Sequence, residues 1–197
     1  RQEFLPALVR GEANFAMALT EPGAGSDAGG IRTRAAKTDG GWVINGRKWF
    51  TSGAGNAAYT TAMVRTEFDV PDHSAFSMIV VPTDTPGYNI IRDVKVMGQA
   101  DGHYEVAYDN VRVPKENLLG PRGQGFKIAQ DRLGPGRIFH CMRWLGQAQR
   151  AFDLMCDRAN NRVAFGKNLG EHQQIQKFIF DTAAEIQASR LLTLHAA

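Results

Sequence analysis

The sequence predicts an α+β chain: an antiparallel β-barrel or sandwich over residues 1–121, then the long helices of an incomplete helical bundle over 122–197. Three observations lead there. Period-two alternation, cut repeatedly by Gly, Pro, Asn and Asp, fills the first 120 residues. Near Pro121 the apolar period becomes helical. The helices that follow carry apolar stripes too broad for two helices to bury against each other, so further helices are expected to cover them.

Taken in order, Phe15, Met17 and Leu19 share one face of the first strand, with Ala16, Ala18 and Thr20 on the other. Ile31 to Thr38 alternates again. A turn at Asp39-Gly40-Gly41 leads into Trp42-Val43-Ile44, and Asn45-Gly46 is a strong two-residue hairpin signal. Lys48–Ser52, 59–66, 76–82 and 104–113 complete about eight strands. The first helical run carries Phe126, Ala129 and Leu133, then Ile138, Met142, Leu145, Phe152 and Met155. Gly134-Pro135-Gly136 interrupts it, and proline's missing donor predicts a break or kink there. A second helix starts near Glu171, with Ile175, Phe178, Ile179, Ala183, Ile186 and Leu191 on its buried stripe and a Lys177/Asp181 pair on its polar face.

Composition excludes several classes. Of 197 residues, 43% are apolar and 22% charged, with net charge +3. The basic residues are spread rather than gathered in a stripe, which argues against nucleic acid, and no apolar run approaches a membrane span. Five scattered histidines offer no metal-ligand spacing, so no metal is expected. Cys141 and Cys156 share one helical pattern about 22 Å apart, too far for a disulfide. They are expected to be buried thiols of a reducing compartment. The chain opens at Arg1 without an initiator Met and closes inside a helical pattern. Both ends are therefore expected to be cut, with any targeting peptide outside the sequence.

Three segments could carry chemistry. Thr20-Glu21-Pro22-Gly23-Ala24-Gly25-Ser26-Asp27 leaves a strand for a glycine-rich turn whose N–H groups and hydroxyls suit an anion. A dinucleotide fold would need a helix next, and Ile31–Ala35 alternates instead. In Trp49-Phe50-Thr51 the alternation places the indole and the hydroxyl on one face and Phe50 on the other, suited to a flat heterocycle. Arg162-Val163-Ala164-Phe165-Gly166, followed by Glu171-His172-Gln173, could present a fixed cation to a diphosphate. Taken alone, each segment is better read as something plainer: a surface turn, a core tryptophan and a helix stop.

As an ordered set they resemble the acyl-CoA dehydrogenase family. Asn45-Gly46-Arg47-Lys48-Trp49, Val111-Arg112-Val113-Pro114-Lys115-Glu116-Asn117-Leu118-Leu119-Gly120 and Gly123-Gln124-Gly125-Phe126 extend the likeness over essentially the whole chain. The resemblance implies FAD held between a β-barrel and helices. Leu19 and Thr20 would meet the flavin ring edge, and Gly25 and Ser26 the diphosphate. Trp49 would flank the ring and Thr51 would bond near N5, with Phe50 between them also counted as cofactor-binding. Arg162, Phe165 and Gln173 would hold the FAD of a neighbouring subunit, implying a homodimer or homotetramer. Ser26, Pro135, Gly136 and Arg137 would contact the acyl-CoA.

The reaction implied is α,β-dehydrogenation of the thioester, with electrons passed to an electron-transferring flavoprotein. The family's base is a glutamate later in the C-terminal domain, so no catalytic residue is expected here and the chain alone should be inactive. The compartment implied is the cytoplasm of a bacterium, or the mitochondrion or peroxisome of a eukaryote. Met17 stands where an aromatic is common. Leu133-Gly134-Pro135-Gly136-Arg137 lacks the acidic residue of many straight-chain members and resembles a subgroup with large multidomain mammalian proteins. An acyl-CoA oxidase and an FAD-free scaffold are the alternatives.

Overall fold

The computed structural model describes residues 5–197 and forms two compact units, Arg1–Ala129 and Gln130–Ala197. In the first, a short helix α1 (Leu5–Val9) precedes β1 (Phe15–Ala18), β2 (Arg34–Thr38), β3 (Gly41–Ser52) and β4 (Tyr59–Arg65). After α2 (Asp72–Ala75) come β5 (Phe76–Pro82), β6 (Tyr88–Asp93), β7 (His103–Pro114) and β8 (Leu118–Leu119). Helix α3 (Gly125–Asn161), the hairpin β9 (Val163–Ala164) and β10 (Lys167–Asn168), and α4 (Gln173–Ala196) follow.

The eight strands β1–β8 form one sheet in the order β6-β7-β3-β2-β4-β5-β8, with β1 pairing β4. The path is open, not a closed barrel, and it is mixed: β1 and β2 both run parallel to β4, while the other pairs are antiparallel. The parallel pairings arise because β1 and β2 are each joined to their neighbour through other elements rather than by a tight turn.

Two apolar clusters build this unit. Ile44, Val64, Ile79, Val81, Val106 and Val111 are fully enclosed in one; Met63, Phe76 and Met78 anchor the other. Strand β1 lies between the two clusters. Ala16 and Ala18 face the first, and Met17 and Leu19 pack on the second. Both of its faces are therefore packed, while the exit from β1 at Leu19 and Thr20, where the glycine-rich turn begins, is half-buried and leads to the exposed Pro22 and Gly23.

Asn45-Gly46 does not make a hairpin. Strand β3 runs straight through it for 12 residues, and the pair sits at a bulge against β7. The Asn45 side chain accepts from the backbone N–H of Asn110 at 2.9 Å, tying the bulge to the facing strand. Gly46 has φ of +151°, and a Cβ there would lie 2.4 Å from Thr33 Oγ1 and 2.6 Å from Thr33 Cα. The glycine is present for close approach, a use that the dipeptide alone does not separate from a turn.

In the second unit α3 continues through Pro135, which costs one backbone hydrogen bond without ending the helix. Propagation in the long flanking helix, with the small Gly134 and Gly136 beside the ring, outweighs the break expected there. Leu145, Ala148, Phe152, Met155 and Ala159 form its covered stripe. On α4 the covered stripe is Ile175, Ile179, Thr182, Ile186 and Thr193, and Arg190 donates to Gln149 on α3 at 3.3 Å. Phe178, Ala183 and Leu191, expected to be buried, are exposed, because this unit has no third helix to cover them. The thiols are free as expected, but Cys141 is exposed and Cys156 only half-buried, because the two helices of this unit leave much of α3 uncovered. Lys177 and Asp181 pair one turn apart. Among the described residues no helix is long and apolar enough to cross a membrane, and no His, Cys, Asp or Glu cluster could hold a metal.

Candidate functional site

The exit from β1 and the second half of β3 are joined through backbone. Trp49 N–H donates to the Thr20 carbonyl at 2.7 Å, bringing Leu19 and Thr20 beside Trp49, Phe50 and Thr51. The glycine-rich turn then closes on itself: Glu21 and Ala24 exchange backbone hydrogen bonds of 3.0 and 3.1 Å. Gly25 and Ser26 follow, exposed, and a Cβ built at Gly25 would meet nothing within 4 Å. Asp27 caps the short 3-10 turn Ala28–Gly30 by accepting from Gly29 N–H.

Beneath this turn lies an ion pair that strand periodicity gave no sign of. Lys48 is wholly enclosed and donates from Nζ to Glu21 Oε1 and to the Leu19 carbonyl, each at 2.9 Å. The Glu21 carboxylate also accepts the backbone N–H of Arg32 at 2.8 Å and of Thr33 at 3.0 Å. Burial pushes the Lys48 ammonium down to about 8, against the opposing pull of Glu21. Burial also opposes the charge on Glu21, but Lys48 and the donors at Thr33 and Arg32 outweigh it and hold the carboxyl below its ordinary range.

Strict alternation fails at Trp49-Phe50. The β3–β7 register shifts between Lys48 and Thr51, and Phe50 takes the left-handed φ of +52°. The Trp49 and Phe50 rings therefore lie 4.8 Å apart between centroids instead of on opposite faces. A bulky residue at positive φ is strained, and such strain gathers at ligand sites. Trp49 Nε1 and Thr51 Oγ1 are both enclosed and, among the described residues, lack a hydrogen-bond partner. Next along the strand, Ser52 Oγ lies 2.7 Å from His103 Nδ1.

The second unit holds the remaining candidates. Arg162 follows the last residue of α3, with its backbone N–H bonded to the Arg158 carbonyl. Phe165 and Gly166 turn the β9–β10 hairpin at φ of +55° and +81°, the pattern of a type I′ turn. The Phe165 ring is 95% exposed and meets His172 edge-on at 6.2 Å. Gln173 opens α4. Pro135, Gly136 and Arg137 lie within α3, where Arg137 donates to Gln130 Oε1 at 3.1 Å. Thus Leu19, Thr20, Trp49, Phe50 and Thr51 are adjacent in the first unit, with Gly25 and Ser26 in the turn that follows. Arg162, Phe165 and Gln173 gather at the α3–α4 connection of the second.

Comparison with known proteins follows the same division. The profile of the acyl-CoA dehydrogenase middle domain matches residues 16–111, and that of the acyl-CoA dehydrogenase C-terminal domain matches residues 123–197. "Acyl-CoA dehydrogenase family member 11" of Rattus norvegicus is 45% identical over 205 residues, which take in 100% of this chain and 26% of that protein. Butyryl-CoA dehydrogenase from Megasphaera elsdenii superposes with a TM-score of 0.89 at 34% identity, over 100% of this chain and 51% of that one. A structure titled "PigA with FAD and proline" superposes with a TM-score of 0.90 at 25% identity, over 98% and 50% of the two chains. The chain thus spans about half or less of the length of these relatives. In motifs, profiles and fold alike, it belongs to the acyl-CoA dehydrogenase family.

Proposed function

We propose that this chain contributes the flavin and CoA contacts of an FAD-dependent enzyme that dehydrogenates an acyl-CoA thioester to its trans-2-enoyl product. One observation carries the reading. Two enclosed polar groups, the Trp49 indole N–H and the Thr51 hydroxyl, lack partners among the described residues on a strand bonded directly to the entry of the glycine-rich turn. An unpartnered buried donor costs about 1–3 kcal/mol. A flat ring with acceptor nitrogens, seated against Trp49, would satisfy both. The open backbone at Gly25 and the exposed Ser26 hydroxyl fit a diphosphate. The residues present therefore fit FAD, the ligand named for one of the similar structures.

In this reading Leu19, Thr20, Trp49, Phe50 and Thr51 hold the ring and Gly25 and Ser26 the diphosphate. Ser26, Pro135, Gly136 and Arg137 meet the acyl-CoA. When bound, FAD supplies the acceptor for the β-hydrogen. The protein's part is to orient the reacting carbons and exclude water. Arg162, Phe165 and Gln173 reach the FAD of a neighbouring subunit in a homodimer or homotetramer. The almost fully exposed Phe165 supports that assignment, because the hairpin turn uses only its backbone and the ring, met edge-on by His172, is left open to a partner. An electron-transferring flavoprotein takes the electrons.

The α-proton base lies elsewhere in the full-length protein. Glu21, the carboxylate beside Leu19 and Thr20, is committed to Lys48 and two amides and is held ionised and enclosed. The 197-residue chain alone is accordingly expected to give no acyl-CoA-dependent dye reduction, and a measurable rate would contradict the assignment. The full-length protein, by contrast, is expected to bleach its flavin when acyl-CoA is added anaerobically. A flavin that stays oxidised with acyl-CoAs of every length and branching would overturn the dehydrogenase reading.

Arg162→Ala weakens FAD retention in the full-length protein by about 1–3 kcal/mol, the scale of a charge-assisted hydrogen bond. Equilibrium dialysis against FAD checks this, and an unchanged affinity removes Arg162 from the site.

A further inference from the structure

Lys48 is enclosed, charged and unused by the assignments above. Its Nζ grips the Leu19 carbonyl, and the next carbonyl, that of Thr20, accepts from Trp49 N–H. A trans peptide is planar, with N–H and C=O on opposite edges. Turning the Leu19 carbonyl inward to Lys48 therefore aims the Thr20 N–H the other way, out of the core. Glu21 Oε1 holds the ammonium and also takes Thr33 N–H, while Oε2 takes Arg32 N–H, so three segments meet at one carboxylate.

We propose that Lys48 is the positioning residue of the cofactor site: by fixing the plane of the Leu19–Thr20 peptide, it sets the direction of the Thr20 amide and hydroxyl relative to Trp49 and Thr51. The proposal rests on the flavin reading. It assigns Lys48 no contact with the cofactor. An apolar residue in its place would leave the core filled but the peptide unanchored. This also accounts for a charged side chain where a strand would ordinarily bury an apolar one: buried ion pairs are poor stabilisers, and apolar replacements of similar volume are often neutral or better.

The test uses the full-length flavin-loaded protein and the double variant Glu21→Gln with Lys48→Met. That pair of substitutions removes both charges together and leaves a side-chain carbonyl at position 21 able to accept an amide. The thermal midpoint of the FAD-free double variant is expected to stay near the parent's. Its dissociation constant for FAD should rise about tenfold, the scale of one lost neutral hydrogen bond from the Thr20 amide, and the visible flavin band should shift. A double variant that folds and binds FAD like the parent, with an unaltered band, overturns the proposal.

Glu21→Gln alone provides an independent reading, because it keeps the Lys48 grip on Leu19. It should bind FAD within about threefold of the parent, less than the loss of one such bond. If instead it folds but loses FAD about tenfold, the carboxylate and not the ammonium sets the site, and the proposal fails. A parent protein that takes up no FAD overturns the flavin reading and this inference with it. Uptake by the parent that neither variant alters overturns this inference alone.

Discussion

Lys48→Met lowers the unfolding free energy of the protein by about 3–5 kcal/mol, the cost of leaving one member of a buried ion pair without its partner. Glu21 would remain enclosed with its carboxylate facing Arg32 and Thr33 N–H and no counter-charge. Urea denaturation at neutral pH measures the loss, and a change under about 1 kcal/mol would mean that the pair is not formed in the folded protein.

The pH dependence carries a second signature of the pair. The folded Lys48 titrates near 8 and the unfolded one near 10.5, so between those values the unfolded chain binds more protons. Stability contributed by this group therefore rises with pH across that window in the parent and not in the variant. Glu21 works in the opposite range. Its folded carboxyl is held below the ordinary 4.5, so its contribution is present above that value and lost as the pH falls through the folded one. The gap between parent and variant should accordingly narrow in acid, where the carboxyl is protonated in both.

Gly46→Ala is expected to be comparably damaging, at about 2–6 kcal/mol. Left-handed strain contributes about 1–3 and forced displacement of a packed neighbour another 1–3 or so. The displaced atoms are the backbone and side chain of Thr33, whose amide is one of the two held by Glu21, so the damage reaches the site. Gly40→Ala, in the turn just before β3, has open space around it and ordinary φ, and serves as the control: it changes stability by less than about 1 kcal/mol. Equal melting temperatures for the two variants would mean that β3 turns at Asn45-Gly46 after all.

How much of this could be read from residues alone follows the physics of each feature. Strands and helices announced themselves through periodicity, and α4 begins at Gln173, close to its expected start near Glu171. Asn45-Gly46 misled because a glycine that permits a turn and one that permits close approach look the same in sequence. Of the break or kink expected at Pro135, the break does not occur, because a rule about single residues yields to the cooperativity of a 37-residue helix. Phe178 and Leu191 were placed on a buried stripe by period alone, and period does not say which partner is present.

The adjacency of Thr20 and Trp49 was legible only through the ordered motifs, since no local rule pairs positions so far apart in sequence. Lys48 was not legible as a buried group at all. The expectation for lysine is solvent, and its enclosure depends on a carboxylate 27 positions away. The bulge that brings Phe50 alongside Trp49 likewise depends on β7, which the alternation of β3 cannot report.

The central claim is that the β1 exit and the Trp49–Thr51 strand form one seat for a flavin. The visible spectrum of the purified full-length protein tests it most directly. A yellow protein whose chromophore is released by acid, and whose colour is lost when Thr51→Val and Trp49→Ala are combined, is the result expected. A colourless protein that neither retains nor takes up FAD would contradict it.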